Sequence, residues 1–409
     1  MINKKKILYI SYDGMTDPLG QSQVIPYLIE LTKLGHHFTI LSVEKKERLR
    51  KNGALISQIL SKAGIIWKTI PFNTIPPLLS KLYDQYKLTS AAIRLHKEHN
   101  FDFVHCRSYV AAATGLKLYQ RFQLPFLFDM RGFWVDERVD SGLWNLKNPL
   151  YKQFYKIYKR KEKSYFGKAS HIISLTRKGE EELTNHFLIN HEKITVIPCC
   201  ADLNHFNFHN VSELQRKEIR DVLKINEQQK VISYLGSLGG WYMTDEMLDL
   251  FVHIRKSIPD SVFLLITHDE AESIIKKANS RGIPKENIRV QPASRNEVPL
   301  FLSVSDWSVF FIKDLYSKKA SSPTKQGEIM AMGIPIICND IGDTGEILRE
   351  TGTGLVVNEF NHASFELVIR QLEELLTIDK DQIRNAAIKY YDLSNGVTSY
   401  NDVYSKMGN

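Results

Sequence analysis

Residues 320–338 read Ala-Ser-Ser-Pro-Thr-Lys-Gln-Gly-Glu-Ile-Met-Ala-Met-Gly-Ile-Pro-Ile-Ile-Cys. Ser322 suits an N-cap and Pro323 the first helical position, so a helix is expected to start here. Gly333 suits its C-terminal end, and the apolar run 334–338 beyond it reads as a buried strand. A helix leading into a short apolar strand is half of a βαβ unit. The same alternation extends outward in both directions. Strands are expected at 7–12, 38–43, 64–69, 102–105, 125–129, 171–175 and 194–197, and again at 231–236, 262–267, 288–291, 307–312, 334–338 and 354–357. Amphipathic stretches lie between them, such as 22–34 with Val24, Leu28, Leu31 and a closing Gly35. This pattern predicts an α/β protein with parallel, doubly wound sheets. The alternation stalls across the polar residues 204–228, which read as a connector between two such domains. In open sheets of this kind ligands sit beyond the carboxyl ends of the strands. No solenoid repeat or low-complexity tract interrupts the reading.

The chain has 409 residues, 43% of them hydrophobic and 24% charged, which fits two or three globular domains and excludes a disordered or fibrous protein. No window approaches 18 consecutive apolar residues, and the first residues run into a strand rather than a secretory signal. Four cysteines (Cys106, Cys199, Cys200, Cys338) form no Cys-x-x-Cys and no disulfide framework. The expectation is a soluble, reduced, cytoplasmic protein. Charge is uneven: residues 1–200 hold 31 Lys+Arg against 17 Asp+Glu, whereas the rest hold 23 against 29. Such asymmetry suggests that the first half meets an anionic surface or acidic substrate; plain solvated surface is the alternative.

The helix start at 322–325 offers unpaired amides to an anion. Lys325 in the first turn opposes the helix dipole by ~0.3–1 kcal/mol unless an anion is bound, which favours a phosphate reading. Glu328 could accept from vicinal hydroxyls, as on a ribose. A capped surface helix with a solvated Glu has the same spacing. No Ser–His–Asp order, metal-ligand spacing or Asp-x-Asp stands out among the thirteen histidines and the acids.

Several stretches in order resemble the retaining glycosyltransferases of family four. They are Gly20-Gln21-Ser22-Gln23 after the first strand, Phe103 to Ser108 around His105 and Arg107, and Asp129 to Glu137. Val196 to Asp202 follows with Phe206 beyond, then Gly236-Ser237-Leu238, Ser322 to Pro335, and the C-terminal Tyr390 to Tyr404. The resemblance spans essentially the whole chain. It implies the GT-B fold, two Rossmann-like doubly wound domains facing a central cleft. The domains would be 1–205, binding the acceptor and joined by a C-terminal helix 390–409 crossing back, and 206–389, binding a nucleotide sugar. Donor contacts would come from Gly20, Gln21, Gly236, Ser237, Ser322, Pro323, Thr324, Lys325 and Glu328. Arg131, Asp136, Glu137 and His105 would serve catalysis, and Arg107 and Arg138 the acceptor. His105 at a strand end also reads as a satisfied structural residue, and Asp129 and Asp136 as loop caps.

The departures are specific. The family's Glu-x7-Glu keeps its second member as Glu328, but Ala320 stands at the first. Ser237 holds the place of the usual Arg, and 239–243 offers no Lys. Lost cations at a diphosphate are costly, because charge stabilisation is often the largest catalytic contribution. Lys325 is the expected replacement, with Lys318 or Lys319 beside it; a donor with one phosphate, such as a cytidine monophosphate sugar, is the alternative. Arg131 stands where many relatives place a histidine, and its planar fork suits a phosphate or an acceptor pyrophosphate.

The resemblance implies transfer with retention, in which the leaving phosphate oxygen helps to deprotonate the acceptor. It implies no metal and no cofactor, the UDP- or GDP-sugar being a substrate. Domain closure across the connector would exclude water. Residues 151–168 hold seven Lys/Arg, one acid (Glu162) and six aromatics. Such a helix suits the inner face of an anionic membrane, with 75–83 dipping into the interface; a helix packing its aromatics on the core fits the same pattern. Nucleic acid is not an expected partner, since no nucleic-acid motif is present. The expected activity is transfer of a sugar from a nucleotide sugar to a glycan or polyprenyl-diphosphate-linked acceptor in surface polysaccharide assembly. A nucleotide-sugar epimerase and a non-catalytic nucleotide-sugar-binding protein are the alternatives.

Overall fold

Strands buried on both faces read as continuous apolar runs, and all thirteen expected strands are present in the computed structural model, with ends displaced by at most two residues. It describes residues 4–74 and 77–407, with the side chains of 77–79 excepted. Two all-parallel sheets result. The first contains β1 (Lys6–Ser11), β2 (His37–Glu44), β3 (Ile66–Pro71), β4 (Phe103–Arg107), β5 (Phe126–Asp129), β6 (His171–Ser174) and β7 (Ile194–Val196), in the order β3-β2-β1-β4-β5-β6-β7. The second contains β8 (Val231–Leu235), β9 (Val262–Ile266), β10 (Ile288–Gln291), β11 (Trp307–Phe310), β12 (Ile336–Cys338) and β13 (Gly354–Val356), in the order β10-β9-β8-β11-β12-β13. Each order reverses once, between β1 and β4 and between β8 and β11. Those reversals mark where each sheet can receive a ligand.

The chain divides into two compact units. The first takes residues up to Cys199, Tyr316–Ser321 and everything from Leu393 onward; the second takes Cys200–Leu315 and Ser322–Asp392. The breaks therefore fall at 199 and 392 rather than at 205 and 389. Hydrogen bonds explain the shift. Ala201 N donates to the Tyr391 carbonyl at 2.8 Å, and Arg384 donates to the carbonyls of Leu203 and Phe206, so 200–206 is fastened to helix Lys380–Tyr391. Tyr316–Ser321 belongs with the first unit for equally concrete reasons. Tyr316 Oη donates to Glu182 at 2.9 Å, Ser317 N to Asp140 at 3.0 Å and Thr176 Oγ1 to the Lys319 carbonyl at 2.7 Å. Ala320 is fully buried in that unit's core.

Two expectations change. The 204–228 connector contains helix Glu213–Val222, opened by a reciprocal Ser212–Gln215 capping box. Its Arg220 is buried and donates to the carbonyls of Val304, Asn226 and Gln229. The 22–34 stretch is two helices, Pro18–Gln23 and Ile25–Lys33, because Pro26 has no N–H to continue the first one. Helix Pro149–Lys168 turns Tyr155, Tyr158, Tyr165 and Phe166 onto the first unit's core and leaves most of its cationic side chains outside. The proposed interfacial stretch 75–83 falls partly outside the described residues; its Leu82 and Tyr83 are exposed. No helix among the described residues is long and apolar enough to cross a membrane.

Candidate functional site

In the second unit the site grows from the end of β8. Tyr234 Oη donates to the Ser237 carbonyl and accepts from Lys325 Nζ at 3.1 Å, so an amine–phenol–carbonyl chain fixes the turn that follows the strand. Gly236 in that turn has φ +111°, and a Cβ there would lie 3.0 Å from Lys325 Nζ. The position is glycine both for its left-handed backbone and for the room the amine takes. Ser237 is exposed, and Leu238 N donates to the Asp269 carboxylate.

The burial of Lys325 is the least expected feature. Its amine lies 3.6 Å from the centre of the Tyr242 ring and 4.2 Å from that of Tyr234, and the residue is 8% exposed. Burial pushes its pKa down to about 7, with Glu328 acting in the other direction. Helix Thr324–Ala331 starts at Thr324, with extended Pro323 at the cap position rather than Ser322. Ser322, Pro323 and Thr324 are half-buried at this start, whereas Glu328 is buried one turn on. Glu328 Oε1 accepts from Arg295 Nη1 at 3.0 Å, and the Arg295 guanidinium lies 5.2 Å from the Phe206 ring centre. Sequence reasoning missed Arg295, Tyr234 and Tyr242. Arg295 follows β10 in a carboxyl-end loop, which was its available signal; the tyrosines carried none.

In the first unit the register sets a cluster at the reversal of strand order. Arg107 pairs with Ser11 on one side and Asp129 on the other, and His105 with Tyr9. Asp129 is enclosed by His105 Nε2 at 3.5 Å, Arg131 Nη1 at 3.7 Å, Arg107 Nη1 at 3.9 Å and Tyr400 Oη at 3.2 Å. Burial works against its charge, but Arg131, His105 and Arg107 hold its pKa below the usual carboxylate range. Burial likewise opposes the Arg131 charge, yet Cys199, Asp129, Tyr400 and Tyr27 keep its pKa well above the ordinary value. Arg131 itself adopts φ +59°, a strained conformation for a side chain of its size. His105 is 2% exposed, its Nδ1 lies 2.7 Å from Tyr404 Oη, and burial lowers its pKa. It is a neutral, walled-in imidazole rather than one presented to a substrate.

The expected loop after β5 is instead helix Trp134–Asp140, which carries Asp136, Glu137 and Arg138. Asp136 accepts from Tyr155 Oη at 2.8 Å and Lys159 Nζ at 2.9 Å, within a buried network that includes Glu162 and Tyr109. Its partners are structural. Arg138 lies 4.8 Å from the Trp134 ring centre, and Glu137 faces Lys318 at 3.7 Å. Lys318 and Lys319, expected beside Lys325, pair inside the first unit with Glu137 and Glu182. Gly20 and Gln21 lie in helix Pro18–Gln23 rather than in a loop. A Cβ on Gly20 would stand 2.2 Å from the Gly14 carbonyl oxygen, and Gln21 Nε2 donates to the Thr16 carbonyl at 3.0 Å. Both hold the turn after β1.

Comparison with known proteins also divides the chain in two. Residues 20–205 match the model for Glycosyltransferase Family 4, and residues 215–390 the model for Glycosyl transferases group 1. No curated protein matches the chain. Among solved structures, a glycosyltransferase from Rickettsia africae is 16% identical with TM-score 0.71, over 99% of this chain and 98% of that one. HepE of Anabaena, solved with UDP and glucose, is 14% identical with TM-score 0.68, over 98% and 100%. WaaG, a glycosyltransferase involved in lipopolysaccharide biosynthesis, is 14% identical with TM-score 0.68, over 97% and 99%. At these identities the structural likeness concerns the fold alone.

Proposed function

Because this chain belongs to the family-4-like glycosyltransferases of GT-B fold, we propose that it transfers a sugar, with retention, from a UDP- or GDP-sugar to a glycan or lipid-linked acceptor of surface polysaccharide assembly. The observation that carries this is the buried Lys325 amine beneath the Gly236 turn, in the same helix as Glu328. Lys325 and the helix start would neutralise the diphosphate, and Glu328, steadied by Arg295, would accept from the ribose hydroxyls. The nucleotides named with HepE favour a uridine diphosphate among the candidates.

In this reading the bond from the anomeric carbon to the diphosphate breaks as the acceptor oxygen bonds to the same face. The acceptor proton passes to the leaving phosphate oxygen. The protein therefore positions and neutralises rather than supplying a base. Arg131 and Arg107 in the first unit are balanced by Asp129 and, like Asp136, have no part in the proposal. Neutralisation by Lys325 assigns no role to a metal or cofactor. A peripheral contact at the cytoplasmic face of a membrane would rest on the outward Lys and Arg of helix Pro149–Lys168, since four of its aromatics face inward.

A thermal-shift panel of UDP, GDP, CMP and their sugars tests the donor. A ligand at ~100 times its dissociation constant should stabilise by about 2.7 kcal/mol, and Glu328→Ala should remove the nucleoside contribution. Silence toward every nucleotide would overturn the proposal. Donor consumed with membranes present, but unchanged without an acceptor, excludes the epimerase.

A further inference from the structure

We propose that His253, His362 and Glu366 form a binding site for one divalent transition-metal ion of the Zn2+ class on the second unit. His253 belongs to helix Thr244–Ser257; His362 and Glu366 lie one turn apart at the start of helix His362–Leu375. One potential ligand atom from each residue falls within 4.8 Å of the others. The two imidazoles stand edge to face with ring centres 5.0 Å apart.

A second observation points to an ion rather than to chance proximity. His253 Nδ1 lies 2.9 Å from the Asp249 carbonyl, so Nδ1 carries the hydrogen and Nε2 keeps its lone pair. That Nε2 is shielded from solvent and has no hydrogen-bond partner. An imidazole fixed by a backbone carbonyl on one nitrogen, with the other nitrogen left to coordinate, is the arrangement metal-binding histidines use. A buried acceptor without a donor is otherwise a cost.

Tetrahedral zinc with bonds of ~2.0–2.1 Å needs ligand atoms roughly 3.4 Å apart, so the site must tighten by about an ångström. The movable parties can do this. The side chains of His362 and Glu366 are 70% and 39% exposed, and their separation of 3.9 Å leaves them loosely paired. Two nitrogens and one carboxylate suit zinc and its neighbours better than magnesium or calcium, which prefer oxygen. The positive end of the His362 helix opposes a cation, and the Glu366 charge offsets it. His253 lies nine residues into its helix, ~14 Å along the axis from the end next to β8. The ion would therefore clamp two helices rather than enter the transfer reaction, and the inference is independent of the proposed donor site.

Titration of the chelator-treated full-length protein with zinc chloride by calorimetry, paired with melting curves, tests it. One equivalent should bind and raise the melting temperature. His253→Ala and the exposed His362→Ala should each weaken binding at least about tenfold, with nucleotide-induced stabilisation unchanged in His362→Ala. His191→Ala, at the exposed His191–Glu180 pair, should bind as the parent does. Absence of a one-equivalent site, unaltered affinity in His362→Ala, or loss in His191→Ala instead would overturn the proposal.

Discussion

Two largely enclosed cations solve the same problem in opposite ways. Arg131 in the first unit is surrounded by compensation: Asp129 lies 3.7 Å away, Cys199 Sγ accepts from its Nη2 at 3.1 Å, and the Gln23 side chain approaches it. Lys325 in the second unit meets two aromatic faces and a phenol, while Glu328, the carboxylate that acts on it, is already held by Arg295. Their pKa values accordingly move apart, the guanidinium's upward and the amine's down to about 7. A charge that is already balanced maintains a structure. One held among tyrosines with little balance is poised to gain from an incoming anion.

The largest effect should come from unbalancing the first unit. Asp129→Asn leaves the buried Arg107 and the largely enclosed Arg131 without their shared carboxylate, and breaking such a pair costs about 3 kcal/mol or more. Urea unfolding should register this as a lower midpoint. A loss well under 1 kcal/mol would mean that the arginines reach other anions, and the contrast with Lys325 would collapse.

The converse substitution in the second unit is Lys325→Met. It removes a poorly compensated charge while keeping most of the volume, so stability should hold or rise. Affinity for UDP or GDP should nevertheless fall by about tenfold to a hundredfold, the ~1.5–3 kcal/mol of a charge-assisted hydrogen bond. Calorimetry on both proteins decides it. Equal affinities would leave the amine a packing residue and remove the support for the donor site.

What the sequence disclosed about these two places differs in kind. The strands bearing Arg107, Asp129 and Tyr234 were legible because both faces of each sheet are covered, and their ends were read to within two residues. Lys325 and Glu328 were legible as residues on a helix start. Their environment was not: Tyr234 and Tyr242 come from 91 and 83 positions upstream, and no local period announces that they enclose the amine. Arg295 was hidden similarly, in a loop whose only signal was its place after a strand. Helix Glu213–Val222 escaped because its sequence is mostly charged, and its anchor is the polar side chain of Arg220. The Ala320 departure has a local cause. The methyl group sits in the first unit's core, where a Cβ added at Gly179 would lie 2.9 Å from it, and a Glu there would bury its carboxylate.

The low pKa of Lys325 gives the comparison a pH signature. Below about pH 7 the amine is charged in the folded and the unfolded chain alike, and its burial cost is carried in full. Between about 7 and the ordinary 10.5 the unfolded chain holds a proton that the folded one has released, so this group's contribution to stability rises with pH. Binding of a diphosphate runs the other way. It favours the charged amine, so above pH 7 it takes up a proton, and affinity should decline by up to about tenfold per unit. Dissociation constants for UDP or GDP at pH 7, 8 and 9 should show that slope in the parent and a flatter one in Lys325→Met. Identical slopes would place the proton elsewhere.

The smallest effect belongs to a cation that is neither buried nor poised. Lys319 pairs with Glu182 at 3.0 Å while its side chain is 46% exposed. Solvent screens such a pair, and exposed pairs contribute ~0–1 kcal/mol. The neighbouring contacts hold Tyr316–Ser321 without it: the Tyr316 hydroxyl on the same carboxylate, the Thr176 hydroxyl on the Lys319 carbonyl, and the buried Ala320. Lys319→Ala should therefore shift the urea midpoint barely beyond error, and the shift should vanish in high salt. A loss approaching that of Asp129→Asn would show that charge, and not burial of Ala320, keeps this segment with the first unit. The distinction between buried and exposed compensation would then have to be redrawn.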